Sequence, residues 1–100
     1  MTSKKAKNKQ AAKETSLSWT PHAWEDYLHW QNEDFAIVQK INDLIDECLQ
    51  TPFTGTGKPE PLKGELTGFW SRRINREHRL VYLPEDGGIY VVQCRYHYDK

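Results

Sequence analysis

The second half of this chain carries four short clusters of residues whose side chains suit phosphodiester chemistry. They are residues 58–61, 70–73, 77–79 and 95–98, and they supply a carboxylate between two prolines, several guanidiniums, an imidazole and a phenol. When RNA is cleaved without a metal, its 2′-hydroxyl attacks the neighbouring phosphorus. A base must take the hydroxyl proton, cations must stabilise the phosphoryl oxygens, and an acid must protonate the departing 5′-oxygen. The clusters contain a group for each of these tasks.

The net charge of zero conceals a segregation of charge along the chain. Residues 1–16 carry five Lys and one Glu, and residues 17–50 carry seven acidic residues and one Lys. Residues 51–100 carry eight Lys and Arg against six acidic residues, with arginines at 72, 73, 76 and 79. This arginine-rich stretch predicts either a surface that attracts a phosphate backbone or an ordinary solvated face.

Length and composition indicate one small domain. A chain of 100 residues with 12% aromatic residues can form one core, which we assign to residues 17–100. Residues 1–16 are Lys-rich and are predicted to be a flexible tail. Cys48 and Cys94 lie within apolar patterns, so we expect buried free thiols. No apolar run approaches the about 20 residues that span a bilayer, and no secretory signal is recognised, so we expect a cytoplasmic protein without membrane contact.

Two helices and four strands are predicted. Thr20 followed by a proline predicts the start of one helix, and Asp34 predicts the cap of a second helix that ends before Pro52. A short edge strand is expected before the helices, and the Pro- and Gly-rich residues 51–68 are expected to be a loop. The three remaining strands are predicted at residues 69–74, 78–83 and 89–96. The expected fold is α+β, a small antiparallel sheet with two N-terminal helices packed on one face.

The alternation of side chains along the strands predicts what each sheet face carries. If both turns of the three-stranded meander contain an odd number of residues, odd positions pair with odd ones. The helix-facing side then holds Trp70, Ile74, Leu80, Tyr82, Tyr90, Val92, Cys94 and Tyr96. The opposite side holds Ser71, Arg73, Arg79, Val81, Val91, Arg95 and His97. Cations and an imidazole on the second side indicate a binding surface.

Several strings of this sequence, in matching order, resemble the YoeB toxins of the RelE/ParE superfamily. They fall within residues 17–98 and comprise residues 24–31, 40–45, 51–53, 57–63, 68–74, 77–82 and 94–98. The resemblance implies a small antiparallel sheet with two helices on one face. It also implies a ribosome-dependent endoribonuclease that cuts messenger RNA in the ribosomal A site and is held inactive by a YefM-type antitoxin.

The resemblance also implies roles for individual residues. Glu60 matches the catalytic carboxylate and is the expected base, while Arg79 matches the phosphate-clamping arginine, whose planar fork stays charged. His97 and Tyr98 match the terminal pair. The imidazole of His97 is suited to act as the acid near neutral pH, and the phenol of Tyr98 is suited to orient the substrate. The positions matching RNA-binding residues are Lys63, Arg72 and Arg73.

Ordinary interpretations stand beside these roles. Glu60 is equally typical of a solvated glutamate in a loop. Arg79 is equally suited to an ion pair with Glu77 or Glu65 at the strand surface. The cations at 63, 72 and 73 are equally typical of solvated side chains. Arg72 is the weaker RNA-binding candidate because it faces away from Arg73. The chain departs from the usual family pattern in its Lys-rich start and in the two residues, Asp99 and Lys100, that follow Tyr98.

The same sequence also bears on other functions and partners. Histidine and cysteine spacing predicts no metal site, and no cofactor is expected. Residues 55–58 resemble a phosphate-binding loop, but a proline follows the lysine and no helix begins there. Trp24 and Trp30 are better explained by helix packing or partner contact than by base stacking. The family likeness and the aromatic first helix allow a homodimer. The competing function is a non-catalytic, ParE-like module that binds a protein such as gyrase.

Overall fold

The computed structural model describes residues 16–96, in which two helices pack on one face of a five-stranded sheet. The strands are β1 (Ser16–Trp19), β2 (Glu60–Pro61), β3 (Trp70–Arg73), β4 (Arg79–Glu85) and β5 (Gly88–Gln93). Their order across the sheet is β1-β5-β4-β3-β2. The predicted α+β class and the packing of the helices are confirmed. The sheet is mixed rather than wholly antiparallel, because β1 runs parallel to β5.

The parallel edge strand β1 begins opposite a position of β5 that has no room for a side chain. Ser16 pairs with Gly88, and a Cβ atom at Gly88 would collide with the Ser16 carbonyl group. Glycine therefore allows β1 to approach the start of β5. Ser16 belongs to β1 rather than to the predicted flexible tail. The rest of that predicted tail lies outside the described residues.

Both helices begin at the predicted caps. In α1 (Pro21–Glu33) the Thr20 side chain accepts a hydrogen bond of 3.0 Å from the Ala23 N–H. In α2 (Phe35–Gln50) the Asp34 side chain accepts one of 3.2 Å from the Ala36 N–H. Each cap satisfies a backbone donor that has no partner within its own helix. The buried side chains of α2 recur at helical spacing and are Val38, Ile41, Leu44, Ile45 and Cys48.

The prediction of the sheet faces is right for β3 and β4 and wrong for most of β5. Pairing of Glu85 with Gly88 leaves a two-residue turn, so even positions of β4 pair with odd positions of β5. Ile89 and Val91 are consequently the buried core residues of β5. A register shift between Val81 and Tyr82 then makes odd positions pair with odd ones again, as predicted, for the end of β5. The core residues contributed by the sheet and its flanks are Ile74, Leu80, Tyr82, Ile89, Val91 and Cys94.

Residues 51–68 contain more regular structure than a loop. They include β2 and a short 3₁₀ helix at Gly64–Leu66. The β2 strand escaped prediction because it has two residues, one of them a proline, which is compatible with an edge position. Cys48 and Cys94 are buried free thiols, as predicted. Within residues 16–96, neither helix has the length and hydropathy required to cross a membrane.

Candidate functional site

The edge strand β2 places Glu60 on the sheet face opposite the helices. Glu60 is exposed and pairs with Ser71, which in turn pairs with Val81 on β4. Cross-strand partners share a sheet face, and Arg73 lies two positions from Ser71, so Glu60 and Arg73 are diagonal neighbours. The Cα atoms of such neighbours lie about 7–8 Å apart. A carboxylate and a long cationic side chain are thereby directed to the same surface.

Arg73 and Arg79 form a direct cross-strand pair on this face. Like charges at directly opposed positions repel each other. Among residues 16–96 no carboxylate lies within ion-pair distance of either guanidinium, so the ion pairs weighed for Arg79 are not formed. Arg79 Nη1 instead donates to the carbonyl oxygens of Asn75 at 3.2 Å and His78 at 3.4 Å. We name the face that carries Glu60, Arg73 and Arg79 the arginine face.

A shallow depression adjoins Glu60. It has a volume of about 340 Å³ and is lined by Glu60, Pro61, Leu62 and Lys63. Leu62 is buried, whereas Lys63 is exposed. The backbone N–H of Leu62 donates to the Phe69 carbonyl at 2.9 Å, which ties this segment to the sheet. The depression therefore brings a second predicted RNA-binding cation beside the candidate base.

The arginine face is not uniformly exposed. Ser71 and Val81 both lie on it, yet their exposed fractions are 3% and 1%. Its charged residues differ in exposure too, since Arg73 is exposed and Arg79 is partly buried. A partly buried guanidinium is less screened by solvent than an exposed one, so Arg79 is the better placed of the two to hold an anion firmly.

Arg72 is a structural residue, which corrects its assignment as an RNA-binding cation. Its side chain is completely buried on the helix-facing side of β3, and its Nη1 lies 2.8 Å from Glu47 Oε1. Its guanidinium donates to the carbonyl oxygens of Thr51 at 2.6 Å, Thr54 at 2.9 Å and Thr56 at 3.1 Å. With its donors engaged inside the protein, Arg72 has no group to offer a phosphate.

Tyr82 completes the surroundings of the Arg72 guanidinium. Its hydroxyl accepts from Arg72 Nε at 3.1 Å and donates to the Pro52 carbonyl at 2.6 Å. Burial alone lowers the pKa of Arg72, but the Tyr82 hydrogen bond and the charges of Cys48, Tyr82 and Glu47 outweigh it and raise that pKa. Arg72 thus stays charged and holds the loop that leads into β2.

The chain beyond β5 is bonded to α1 and to the start of β4. Trp30 Nε1 donates to the Cys94 carbonyl at 2.9 Å, and the Cys94 N–H donates to Asp26 Oδ2 at 3.1 Å. Trp30 is buried, as expected for a packing residue. The Arg79 N–H donates to the Tyr96 carbonyl at 3.0 Å. The backbone just before residue 97 therefore lies beside Arg79.

The roles predicted for His97 and Tyr98 fall outside the described residues, as do those of Asp99 and Lys100. The last described residue, Tyr96, is exposed and has a φ angle of 61°. It was predicted to face the core. The chain instead leaves the strand after Gln93, so alternation no longer determines where its side chains point.

His78 is a residue of this region that the sequence did not single out. Its Nδ1 accepts a hydrogen bond of 2.7 Å from the Tyr96 N–H, and its ring packs edge-on against Trp30 with the ring centres 4.8 Å apart. Burial lowers the pKa of His78 below its ordinary value. Its position between Glu77 and Arg79 was the only available signal, because the contact with Tyr96 joins distant parts of the chain.

Two predicted exclusions concern metals and nucleotide phosphates. Within the described residues, no three or more His, Cys, Asp or Glu side chains come together as a metal site would require. Residues 55–58 are followed by β2 rather than by a helix, and the Gly57 carbonyl accepts the Arg73 N–H at 2.7 Å. This glycine-rich segment therefore contributes to the sheet edge and lacks the helix N-terminus of a phosphate-binding loop.

Comparisons with known proteins place this architecture in one family. The chain is 57% identical over 82 residues to toxin YoeB of Escherichia coli K12, covering 82% of this chain and 98% of that protein. A YoeB/ParE toxin from Agrobacterium tumefaciens has 53% identity and a TM-score of 0.81, with 84% of this chain and 100% of that one covered.

Staphylococcus aureus YoeB gives a further match. It has been solved as a dimer and in a heterotetrameric complex with YefM, with 45% identity and TM-scores of 0.80 and 0.79. Both comparisons cover 85% of this chain and 99% of the other. Because residues 19–98 also match the family model described as the YoeB-like toxin of the bacterial type II toxin-antitoxin system, this chain belongs to that family of toxins.

Proposed function

We propose that this protein is a ribosome-dependent endoribonuclease that inhibits translation by cutting messenger RNA in the ribosomal A site. Its single supporting observation is the arginine face, where Glu60 shares a sheet surface with the opposed pair of Arg73 and Arg79. Two guanidiniums without a carboxylate partner among residues 16–96 concentrate positive potential. A phosphodiester is an anion that would relieve this repulsion.

Each step of metal-free cleavage has a candidate residue. Glu60 takes the proton of the attacking 2′-hydroxyl, because its carboxylate lies diagonal to Arg73 on this face and accepts protons without needing a metal. Arg79 binds the phosphoryl oxygens through its planar fork, and Arg73 adds a second positive charge. His97 protonates the leaving 5′-oxygen, and Tyr98 orients the substrate. Lys63 holds a neighbouring phosphate beside the depression.

The support for the terminal pair is the position of the chain that precedes it. The Tyr96 carbonyl is bonded to the Arg79 N–H, and His97 and Tyr98 follow at once in the sequence. An acid and a phosphate-binding arginine must act on the same phosphodiester, and a chain segment that passes beside Arg79 is suited to supply the acid.

A YefM-type antitoxin is the proposed protein partner. S. aureus YoeB forms a heterotetramer with YefM. An acidic or amphipathic segment of such an antitoxin would inhibit this protein by covering Arg73 and Arg79 or by displacing the chain after β5. A homodimer is proposed as well, since S. aureus YoeB also occurs as a dimer and Trp24 of α1 is 43% exposed here.

In vitro translation with primer extension on the message tests the function directly. The wild-type protein should produce a discrete cut within the A-site codon. Glu60→Gln and His97→Ala should each lower the single-turnover rate by about 100- to 10,000-fold, as removal of a catalytic base or acid usually does. Uncut message with the wild-type protein would contradict the proposal and would favour the non-catalytic binding module.

A further inference from the structure

Both polar groups of the Tyr96 backbone form hydrogen bonds with consecutive residues, His78 just before β4 and Arg79 at its start. Its N–H donates to His78 Nδ1 at 2.7 Å, and its carbonyl oxygen accepts from the Arg79 N–H at 3.0 Å. Tyr96 has a φ angle of 61°, a left-handed conformation that is unfavourable for a residue other than glycine. Such a conformation persists only where the surroundings hold it.

The His78 contact requires one particular form of the imidazole. Nδ1 accepts a hydrogen bond only when it carries no proton, so His78 must be neutral, with its proton on Nε2. A protonated ring would place a donor at Nδ1 against the N–H donor of Tyr96. The hydrogen bond therefore exists in the neutral state alone.

The immediate surroundings of His78 favour the neutral state. The ring packs between Trp30 and Tyr96, with ring centres 4.8 and 5.5 Å from its own. Burial is the largest influence and lowers the pKa of His78. Glu77, whose Oε1 lies 3.8 Å from His78 Nε2, raises that pKa less strongly. Among residues 16–96, the other charged or titratable groups that act on His78 are Arg95 and His29, which lower its pKa, and Asp26, which raises it.

We propose that His78 is a positioning residue whose neutral Nδ1 holds the Tyr96 backbone, and thereby keeps the chain leading to His97 and Tyr98 beside Arg79. The catalytic consequence of this inference rests on the proposed function, whereas the contact itself does not. His78 would not touch the RNA. It acts on the reaction through the backbone that carries the proposed acid, and its protonation removes the hydrogen bond that holds the Tyr96 N–H.

Three variants separate this role from simple packing. His78→Phe keeps a ring against Trp30 but removes the acceptor. His78→Asn provides a carbonyl oxygen at the same number of bonds from Cβ as Nδ1, and it does not titrate. His29→Phe is the matched control. The His29 ring also packs edge-on against Trp30, with ring centres 4.8 Å apart, but among residues 16–96 it makes no hydrogen bond to the chain after β5.

Amide hydrogen exchange of Tyr96, measured by NMR on the purified protein without RNA, reports on the contact. The Tyr96 amide should be protected in the wild type, in His78→Asn and in His29→Phe, and should lose its protection in His78→Phe. Lowering the pH from 7 through the lowered pKa of His78 should remove this protection in the wild type but not in His78→Asn. Equal protection of Tyr96 in the wild type and His78→Phe would overturn the inference.

Cleavage of ribosome-bound message reports on the catalytic consequence. His78→Phe should lower kcat by about 10- to 100-fold with KM unchanged, because misplaced catalytic groups slow the chemical step without weakening substrate binding. His78→Asn should recover most of the rate. Lost Tyr96 protection with undiminished kcat would overturn the positioning role. A wild-type protein that cuts no message would overturn the proposed function, while the exchange data would still decide whether His78 holds Tyr96.

Discussion

Arg72 Nη1 lies 2.8 Å from Glu47 Oε1, which links β3 to the last turns of α2. The two partners differ in environment, because the Arg72 side chain is fully buried whereas the Glu47 side chain is 38% exposed. The same guanidinium binds carbonyl oxygens of the loop at residues 51–57. A single buried cation therefore connects the helical layer, the sheet and the loop that precedes Glu60.

Replacing Arg72 should strongly destabilise the protein. Arg72→Met fills much of the same space but removes the hydrogen bonds that Arg72 donates to three carbonyl oxygens and to the Glu47 carboxylate. A buried carbonyl oxygen that is left without its donor costs about 1–3 kcal/mol. Urea unfolding should show this loss as a lower midpoint with an unchanged slope.

The matched control for this variant is Arg76→Met. Arg76 lies exposed in the connection between β3 and β4, so its loss should change the free energy of unfolding by less than about 0.5 kcal/mol. Equal stability losses at the two positions would contradict the anchoring role of Arg72.

Acid should destabilise the wild type partly through Glu47. The backbone N–H of Thr56 is the main cause of a lowered Glu47 pKa, followed by the Thr56 hydroxyl, and Arg72 lowers it further against the opposing effect of burial. Since the folded-state pKa is below the ordinary value of 4.5, this contribution to stability is complete above pH 4.5 and is lost as the pH falls through the folded-state pKa.

Urea unfolding of the wild type and Glu47→Gln from pH 7 to pH 3 measures this effect. The wild type should be the more stable protein at pH 7, and the difference should shrink as the pH falls below 4.5. A difference that stays constant over the whole range would show that Glu47 has the same pKa in the folded and unfolded states.

Local signals in the sequence predicted the helices and their caps, and the failures lie where structure depends on distant contacts. Thr20 and Asp34 cap the helices as expected because capping involves only neighbouring residues. The parallel pairing of β1 with β5 joins residues separated by most of the chain, so no local pattern indicates it. The turn at Asp86 and Gly87 is two residues long. Adding or removing one residue in a turn moves every side chain of the next strand to the other sheet face, so the faces of β5 depend on this length.

The two adjacent arginines show that local sequence patterns are limited in the same way at the candidate site. Alternation correctly separated Arg72 from Arg73, which face opposite sides of the sheet. It did not reveal that Arg72 is buried, because the carbonyl oxygens that accept its donors belong to an irregular loop whose course the sequence does not specify. Glu60 was recognised through family resemblance, and its place on the arginine face became apparent from its pairing with Ser71.

Arg79 should be needed for its planar fork as well as for its charge. Arg79→Lys keeps the charge but lacks the planar fork that donates two parallel hydrogen bonds to phosphoryl oxygens, so the cleavage rate on ribosome-bound message should fall by about 100-fold or more. Arg76→Lys changes the same side chain at an exposed position nearby and should leave the rate unaltered. Equal rates for Arg79→Lys and the wild type would exclude bidentate phosphate binding by Arg79.

Cleavage of free RNA should be much slower than cleavage of ribosome-bound message. The depression beside Glu60 is shallow and is lined by four consecutive residues, so it offers little surface to bend RNA into an in-line geometry. An external template that fixes this geometry can supply a large part of the rate. Single-turnover rates on the same labelled RNA, with and without ribosomes, measure the dependence, and equal rates would contradict it.

Antitoxin binding should depend on the charge of the arginine face. If an acidic segment covers Arg73 and Arg79, Arg73→Glu should weaken binding of a YefM-type antitoxin and make it less sensitive to salt, because opposite charges across an interface attract and salt screens that attraction. Lys40→Glu introduces the same change on α2, on the other side of the sheet, and should leave the affinity unchanged. Isothermal titration calorimetry at two salt concentrations distinguishes the cases. Equal affinities for the wild type and Arg73→Glu would place the inhibitory contact away from this face and leave displacement of the chain after β5 as the means of inhibition.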